Sequence, residues 1–242
     1  MRRFWDWRKA SNDDGVVTEE LRIDGYIAEE SWFLDEVTPA QFKSELSART
    51  GNITVVINSG GGECFAAAQI YNMLREYDGK VTVKIDALAA SAASVIACAG
   101  DEVLVSPVSM IMIHNPLANV VGEVSELERG IEMLNEVKES IINAYIAKTK
   151  LSRNKISAMM DAETWLNARA AIKLGFADGM LYGEQPTDEV VFDRHAPMTA
   201  VADAFRQKLK PKPPARLGSP QGSVSTADLY EKLNQQKQNW RF

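Results

Sequence analysis

Short apolar runs that alternate with helical patterns constrain the fold of this chain more than any other feature. Residues 53–57 (Ile-Thr-Val-Val-Ile) are β-branched and, except for the threonine, apolar, which is typical of a strand covered on both faces. A helical pattern follows at about 65–77, and strand-like runs return at 81–85, 103–105 and 110–113. Strands that alternate with helices predict an α/β fold with a mainly parallel sheet.

Small residues follow two of these strands. Gly60, Gly61 and Gly62 are predicted to form the turn after the first strand. Ser91 begins a short alanine-rich helix, which Gly100 is expected to end in a left-handed conformation. Because both segments carry few large side chains, a substrate backbone could approach them closely.

The longest helical pattern covers about residues 124–148. Its apolar side chains recur on one face, and its charged side chains lie largely on the other. The apolar stripe consists of Leu127, Ile131, Leu134, Ile141 and Tyr145. Such a stripe packs on the core of its own domain or, on a helix of this length, meets another subunit.

The two ends of the chain differ from its middle. Residues 1–15 are polar with scattered aromatic side chains and no clear period, so we expect residues 1–19 to form an N-terminal arm, either packed on a neighbour or disordered. The α/β domain is predicted to span residues 20–183. Prolines at 211–220 predict a flexible linker and tail over residues 184–242.

Composition argues against several classes of function. The net charge of −6 and the pI near 5.1 argue against a nucleic-acid surface, because phosphate binding needs clustered Lys and Arg. No apolar run reaches the roughly 18 residues of a membrane span, and residues 1–9 lack the apolar stretch of a secretory signal. Cys64 and Cys98 are expected to be small buried side chains in a reducing compartment. We therefore predict a cytoplasmic protein without a metal site or cofactor.

Candidate catalytic residues follow from the histidines, since a serine hydroxyl needs a neighbouring imidazole to take its proton. The chain has two histidines, and we interpret His195, near the tail, as a solvated loop residue. His114 directly follows the apolar strand at 110–113, and α/β folds place catalytic groups at the carboxyl ends of strands. Ser91 is the preferred serine because it lies at a helix start; Ser94 is expected to bond the helix backbone instead.

Three motifs resemble those of a known family. They are Ile-Asn-Ser-Gly-Gly-Gly at 57–62, Ala-Ala-Ser-Ala-Ala at 89–93 and Met-Ile-His-Asn-Pro at 112–116. Their order and approximate spacing resemble those of the Clp protease proteolytic subunit. The chain is more closely similar to the Clp-related proteases of phage head-assembly modules, which share segments like 161–166 and 171–178. The resemblance implies a serine endopeptidase whose α/β fold is a ClpP/crotonase-type spiral of ββα units with a long protruding helix.

The resemblance also implies a role for each motif. Ser91 would be the nucleophile and His114 its general base, while the N–H groups of Gly62 and Ala92 would form the oxyanion hole. An extended substrate would lie between the glycines and the segment after His114. The implied substrate-binding residues are Gly60, Gly61, Asn115 and Pro116.

The acid that orients the histidine departs from the family pattern. Alignment on the Trp-Leu at 165–166 places Glu163, not an aspartate, at this position. Asp161 is the alternative, because two residues apart on an extended segment share a face. We favour Glu163.

The implied partners follow from the same resemblance. We expect a homo-oligomeric ring that cleaves polypeptides, with phage scaffold, capsid or portal proteins as substrates or partners; whether an ATP-driven unfoldase docks is left open. No nucleic acid or membrane partner is predicted. Two alternatives are a non-catalytic assembly protein of the same fold and a crotonase-type enzyme that acts on CoA thioesters.

Overall fold

The computed structural model describes residues 3–11, 17–28 and 39–182, which belong to a compact unit spanning Met1–Val190. The predicted tail and His195 lie outside the described residues. Among the described residues, no helix has both the length and the apolar character needed to cross a membrane.

In the described part of the chain, eight strands form one sheet that six helices accompany. The strands are β1 (Trp5–Ser11), β2 (Val17–Ile27), β3 (Ile53–Gly62), β4 (Val81–Ala90), β5 (Glu102–Val105), β6 (Met110–Ile113), β7 (Thr164–Asn167) and β8 (Gly179–Met180). The helices are α1 (Pro39–Ser47), α2 (Cys64–Arg75), α3 (Ala92–Ala97), α4 (Val124–Thr149), α5 (Arg153–Asp161) and α6 (Ala168–Lys173). The predicted α/β class is confirmed.

Most neighbouring strands of the sheet are parallel. The strand order is β1-β2-β3-β4-β5-β8, and β1 is antiparallel to β2. The first part of β4 pairs with β5, whereas its last three residues pair with β6. Strand β7 then lies antiparallel to β6. Strand β4 therefore belongs both to the main sheet and to a small wing made with β6 and β7.

Part of the predicted N-terminal arm is a strand of this sheet. Trp5 is buried, its ring lies edge-on against Phe42 at 5.3 Å, and its indole N–H donates to Glu45 at 2.9 Å. The sequence shows why: in Trp-Asp-Trp-Arg at 5–8, aromatic and charged side chains alternate with the period of a strand. That alternation is too short to stand out in a polar segment.

The glycine segment is a strand and not the turn that we predicted. Strand β3 continues through Gly62, because its pairing with β2 extends to that residue. Its pairing with β4 ends at Ser59. Gly61 and Gly62 have φ angles of +100° and +155°, which residues with side chains rarely adopt. Past Ser59, the edge of β3 that faces away from β2 pairs with no described strand.

Helix α4 divides into two halves with different surroundings. Tyr145, the last member of the predicted stripe, is buried on the core, and Ile141 packs against the core while partly buried; Ile142, outside the stripe, is fully buried. In the first half, by contrast, Val124 is 70% exposed and Ile131 is 61% exposed. The apolar stripe thus continues beyond the part of the domain that it can pack against.

Candidate active site

Ser91 lies at the sharp turn between β4 and α3. It precedes the first residue of α3 and has φ 54° and ψ −124°. A non-glycine residue in this region is strained and is held by its surroundings. Here the Ser91 N–H donates to the Met112 carbonyl at 2.9 Å. A strand-to-helix turn of this kind presents a serine hydroxyl at the end of a sheet.

His114 lies beside this turn because β4 and β6 are paired. Ala90 is the register partner of Met112, so the residues after the two strands emerge close together. The His114 Nε2 atom and the Ser91 Oγ atom are 2.7 Å apart, a hydrogen bond. Both residues are partly buried. An imidazole at this distance can accept the serine proton.

The pairing of β6 with β7 brings Glu163 toward the histidine. Ile113 and Thr164 form the last pair of that antiparallel register, so the residues next to them, His114 and Glu163, lie at the same end of the two strands. The Glu163 carboxylate accepts a hydrogen bond from the Trp165 indole at 3.3 Å.

Asp161 is directed to other partners. Its Oδ1 accepts hydrogen bonds from Lys138 Nζ at 2.6 Å and from Asn115 Nδ2 at 2.9 Å. The bond from Lys138, followed by that from Asn115, lowers the pKa of Asp161. The assumption that 161–163 is extended was wrong, because α5 ends at Asp161 and Glu163 has φ 46°. The two carboxylates therefore do not share the face of a strand.

The glycine strand contacts the serine turn. A Cβ atom on Gly61 would lie 2.7 Å from the Ser91 Cβ and 3.0 Å from the Ala92 N, so no side chain fits there. The buried Ser59 hydroxyl accepts the Gly61 N–H at 3.1 Å and donates to the Gly25 carbonyl at 2.5 Å. The backbone of β3 is thus held against Ser91.

The segment after His114 begins partly buried and then becomes exposed. Asn115 and Pro116 are half-buried, whereas Leu117 is 81% exposed. Asn115 donates to Asp161, and its Oδ1 is buried without a hydrogen-bond partner. The structure therefore places Asn115 next to both the histidine and the α4–α5 pair.

Ser94 behaves as expected, but its second partner was not foreseen. Its hydroxyl donates to the Ser91 carbonyl at 2.6 Å, and it also lies 2.7 Å from the Tyr145 hydroxyl. In the sequence Tyr145 was one member of the apolar stripe of α4. The sequence does contain a signal for this contact: a tyrosine in an apolar stripe is expected to be buried, and a buried tyrosine hydroxyl usually needs a hydrogen-bond partner.

Over the described residues, no group of three or more His, Cys, Asp or Glu side chains could hold a metal ion. Both cysteines are free, and burial raises the pKa of Cys98 to about 12.

Comparison with known proteins identifies the family. A model of the Clp protease family matches residues 35–184. The chain belongs to the Clp protease family. The ATP-dependent Clp protease proteolytic subunit 1 of Chlamydia muridarum is 30% identical over 155 residues, which cover 62% of this chain and 76% of that protein. The ATP-dependent Clp protease proteolytic subunit of Bacteroides fragilis is 28% identical over 174 residues, covering 69% and 79%.

The match confirms the resemblance at the level of the family. These Clp protease relatives are named proteolytic subunits, which makes this chain a member of a peptidase family. The finer resemblance to phage head-maturation proteases stays a prediction.

Proposed function

We propose that this member of the Clp protease family is a serine endopeptidase with Ser91 as nucleophile and His114 as general base. The observation that carries the proposal is the 2.7 Å hydrogen bond between Ser91 Oγ and His114 Nε2 at a strained strand-to-helix turn. His114 takes the hydroxyl proton as Oγ attacks the peptide carbonyl, and it then protonates the leaving amine. Water then attacks the acyl-enzyme carbonyl while His114 takes its proton, and His114 returns that proton to Ser91 Oγ as the ester C–O bond breaks.

The Gly62 and Ala92 N–H groups are proposed to bind the oxyanion. Neighbouring amides of an extended strand point to opposite edges. Since the Glu63 N–H donates to the Ile27 carbonyl of β2, we infer that the Gly62 N–H is directed to the free edge beside Ser91. Ala92 begins α3, where the first amides of a helix have no helical acceptor. Two such donors stabilise the negative charge that develops on the substrate oxygen.

Glu163 is proposed as the third member of the triad. The β6–β7 register supports this choice, and so do the Lys138 and Asn115 hydrogen bonds that engage Asp161. A carboxylate on the far side of the imidazole fixes its tautomer and stabilises the imidazolium that forms. Glutamate can perform this task, as it does in some α/β-hydrolases.

The substrate is proposed to be a polypeptide that binds as an added strand. The free edge of β3 at Gly60 and Gly61 offers backbone groups on one side, and the segment from Asn115 and Pro116 offers them on the other. Main-chain hydrogen bonds of this kind give affinity for an extended peptide with little demand on its sequence.

The wider setting of the proposal rests on the family and on the phage-like segments at 161–166 and 171–178. We propose a ClpP/crotonase-type spiral, a homo-oligomeric ring in the cytoplasm, and phage scaffold or capsid precursors as substrates. The exposed apolar first half of α4 supports an assembly, because large exposed apolar surfaces mark interaction sites.

The test is labelling with a fluorophosphonate, followed by intact-mass analysis and peptide mapping. A single adduct on Ser91 is expected, because only an activated serine attacks this reagent at a useful rate. Ser91→Ala should remove the adduct and at least about 99.9% of peptidase activity while the protein stays folded. Ser109→Ala is the control, since it removes the hydroxyl of a buried serine that has no proposed role in the reaction. A folded wild-type protein that forms no adduct would show a non-catalytic assembly protein instead.

A further inference from the structure

Two buried hydroxyl groups next to the nucleophile have no part in the mechanism described so far. Ser94 and Tyr145 are each 1% exposed, and their hydroxyl oxygens lie 2.7 Å apart. They are 51 positions apart in the chain. The contact therefore joins α4 to the first turn of α3, directly behind Ser91.

The directions of these hydrogen bonds follow from the number of protons. The Ser94 hydroxyl has one proton, and it donates that proton to the Ser91 carbonyl at 2.6 Å. The Tyr145 hydroxyl must then be the donor to Ser94. The Ser94 N–H also donates to the Ser91 carbonyl, at 2.9 Å. One carbonyl oxygen is thus held by two bonds from Ser94, and the side-chain bond is itself fixed by Tyr145.

The carbonyl of Ser91 shares a planar peptide unit with the N–H of Ala92. In a trans peptide these two groups point in opposite directions, so fixing one fixes the other. We infer that Ser94 and Tyr145 are positioning residues, which hold the 91–92 peptide plane so that the Ala92 N–H is directed at the oxyanion. The inference rests on the proposed function, in which that N–H stabilises the tetrahedral intermediate.

The strain at Ser91 explains why the 91–92 peptide plane needs to be held by neighbouring side chains. With φ 54° and ψ −124°, the Ser91 backbone lies outside the common wells and would relax if its neighbours allowed. The Tyr145 ring has packing of its own, edge-on against Phe176 at 5.7 Å. Its hydroxyl can therefore be removed without removing the ring. Burial also raises the pKa of Tyr145, which keeps the hydroxyl protonated as a donor.

The experiment measures peptide hydrolysis and fluorophosphonate labelling in three variants of the full chain. Ser94→Ala should lower kcat about tenfold with KM unchanged, because an oxyanion donor acts in the transition state only. Tyr145→Phe should lower kcat about threefold to tenfold by the same route. The double variant should be no slower than Ser94→Ala, since Tyr145 acts through Ser94. The pH midpoint of kcat, set by His114, should stay where it is in the wild type.

Two control variants separate positioning from loss of stability. Ser109 donates its hydroxyl to the carbonyl three residues earlier, as Ser94 does, and Ser109→Ala should keep the wild-type kcat. Tyr77 donates its hydroxyl to the Gly51 carbonyl at 2.9 Å, and Tyr77→Phe should likewise keep it. Urea unfolding of all variants checks that each is folded under the assay conditions.

The outcomes distinguish this inference from the function on which it rests. A wild-type protein that is not labelled on Ser91 overturns both. If the wild type is labelled on Ser91 but Ser94→Ala and Tyr145→Phe both keep the wild-type kcat, the positioning role alone is overturned. It is also overturned if the two losses add in the double variant, or if Ser109→Ala lowers kcat as much as Ser94→Ala.

Discussion

The turn at Ser91 is a strained feature of the candidate site at the residue scale. Ser91 has a left-handed φ, and such a backbone costs about 1–3 kcal/mol. It is held in that state by its N–H bond to the carbonyl of Met112, on the strand that leads to His114. The turn and the histidine are therefore held by the same strand, which keeps the 2.7 Å distance between their side chains.

The choice of triad acid gives a prediction at the residue scale. Glu163→Gln should lower kcat about a thousandfold to ten-thousandfold, because a neutral amide favours the wrong imidazole tautomer. Asp161→Asn should lower it less than about tenfold, since it weakens the exposed bond from Lys138 and leaves the bond from Asn115 possible. The measurement is steady-state cleavage of a fluorogenic peptide by the two variants, whose fluorophosphonate labelling provides a second readout. A larger loss for Asp161→Asn would reverse the assignment.

Sequence patterns could identify some of these residues and not others. Ser91 and His114 stand out because each follows a strand at a recognisable motif. Spacing could not decide between Asp161 and Glu163, because the end of α5 falls at Asp161, and helix ends are poorly marked in sequence. Tyr145 could not be assigned to Ser94, since only the packing of α4 on the core brings them together.

At the scale of single elements, β3 shows where local preference and sheet pairing differ. Glycines favour turns, which is why 60–62 was predicted as one. Pairing with β2 instead keeps the segment extended as far as Gly62. Past Ser59, the opposite edge of β3 has no described partner strand. Strand β1 was likewise not predicted from the sequence. Its alternation of aromatic and charged side chains is short, and the segment forms a strand because it pairs in antiparallel register with β2.

A pair of glycine substitutions tests the role of this strand. Gly61→Ala should lower kcat at least about a hundredfold, because the new methyl group would lie 2.7 Å from the Ser91 Cβ and displace the turn. Gly51→Ala is the matched control: it has a positive φ of +78°, but nothing lies within 4 Å of its Cβ. In both variants the positive φ should lower the free energy of unfolding, measured in urea, by about 1 kcal/mol. Only Gly61→Ala should also place a methyl group against Ser91. Equal activities in the two variants would contradict a role for close approach.

At the scale of the whole molecule, the site lies where several strands end. The ends of β3, β4 and β6 supply Gly62, Ser91 and His114, as expected at the carboxyl edge of a parallel sheet. Helix α4 starts at the exposed Val124, and its second half packs on the core at Tyr145. Its exposed first half is therefore attached to the same domain that forms the site.

The proposed assembly can be tested on that exposed half. Ile131 is 61% exposed, and a side chain of this kind gains stability when a neighbouring subunit covers it. Ile131→Asp should weaken the assembly at least about tenfold, because a charge would then have to be buried at the contact. Size-exclusion chromatography with light scattering should show a multiple of 26.8 kDa for the wild type and a shift toward 26.8 kDa for the variant. Glu132→Gln, at the exposed neighbouring position, should leave the mass unchanged. A wild type that is monomeric, or an Ile131→Asp variant with the full wild-type mass, would exclude this face of α4 as the contact.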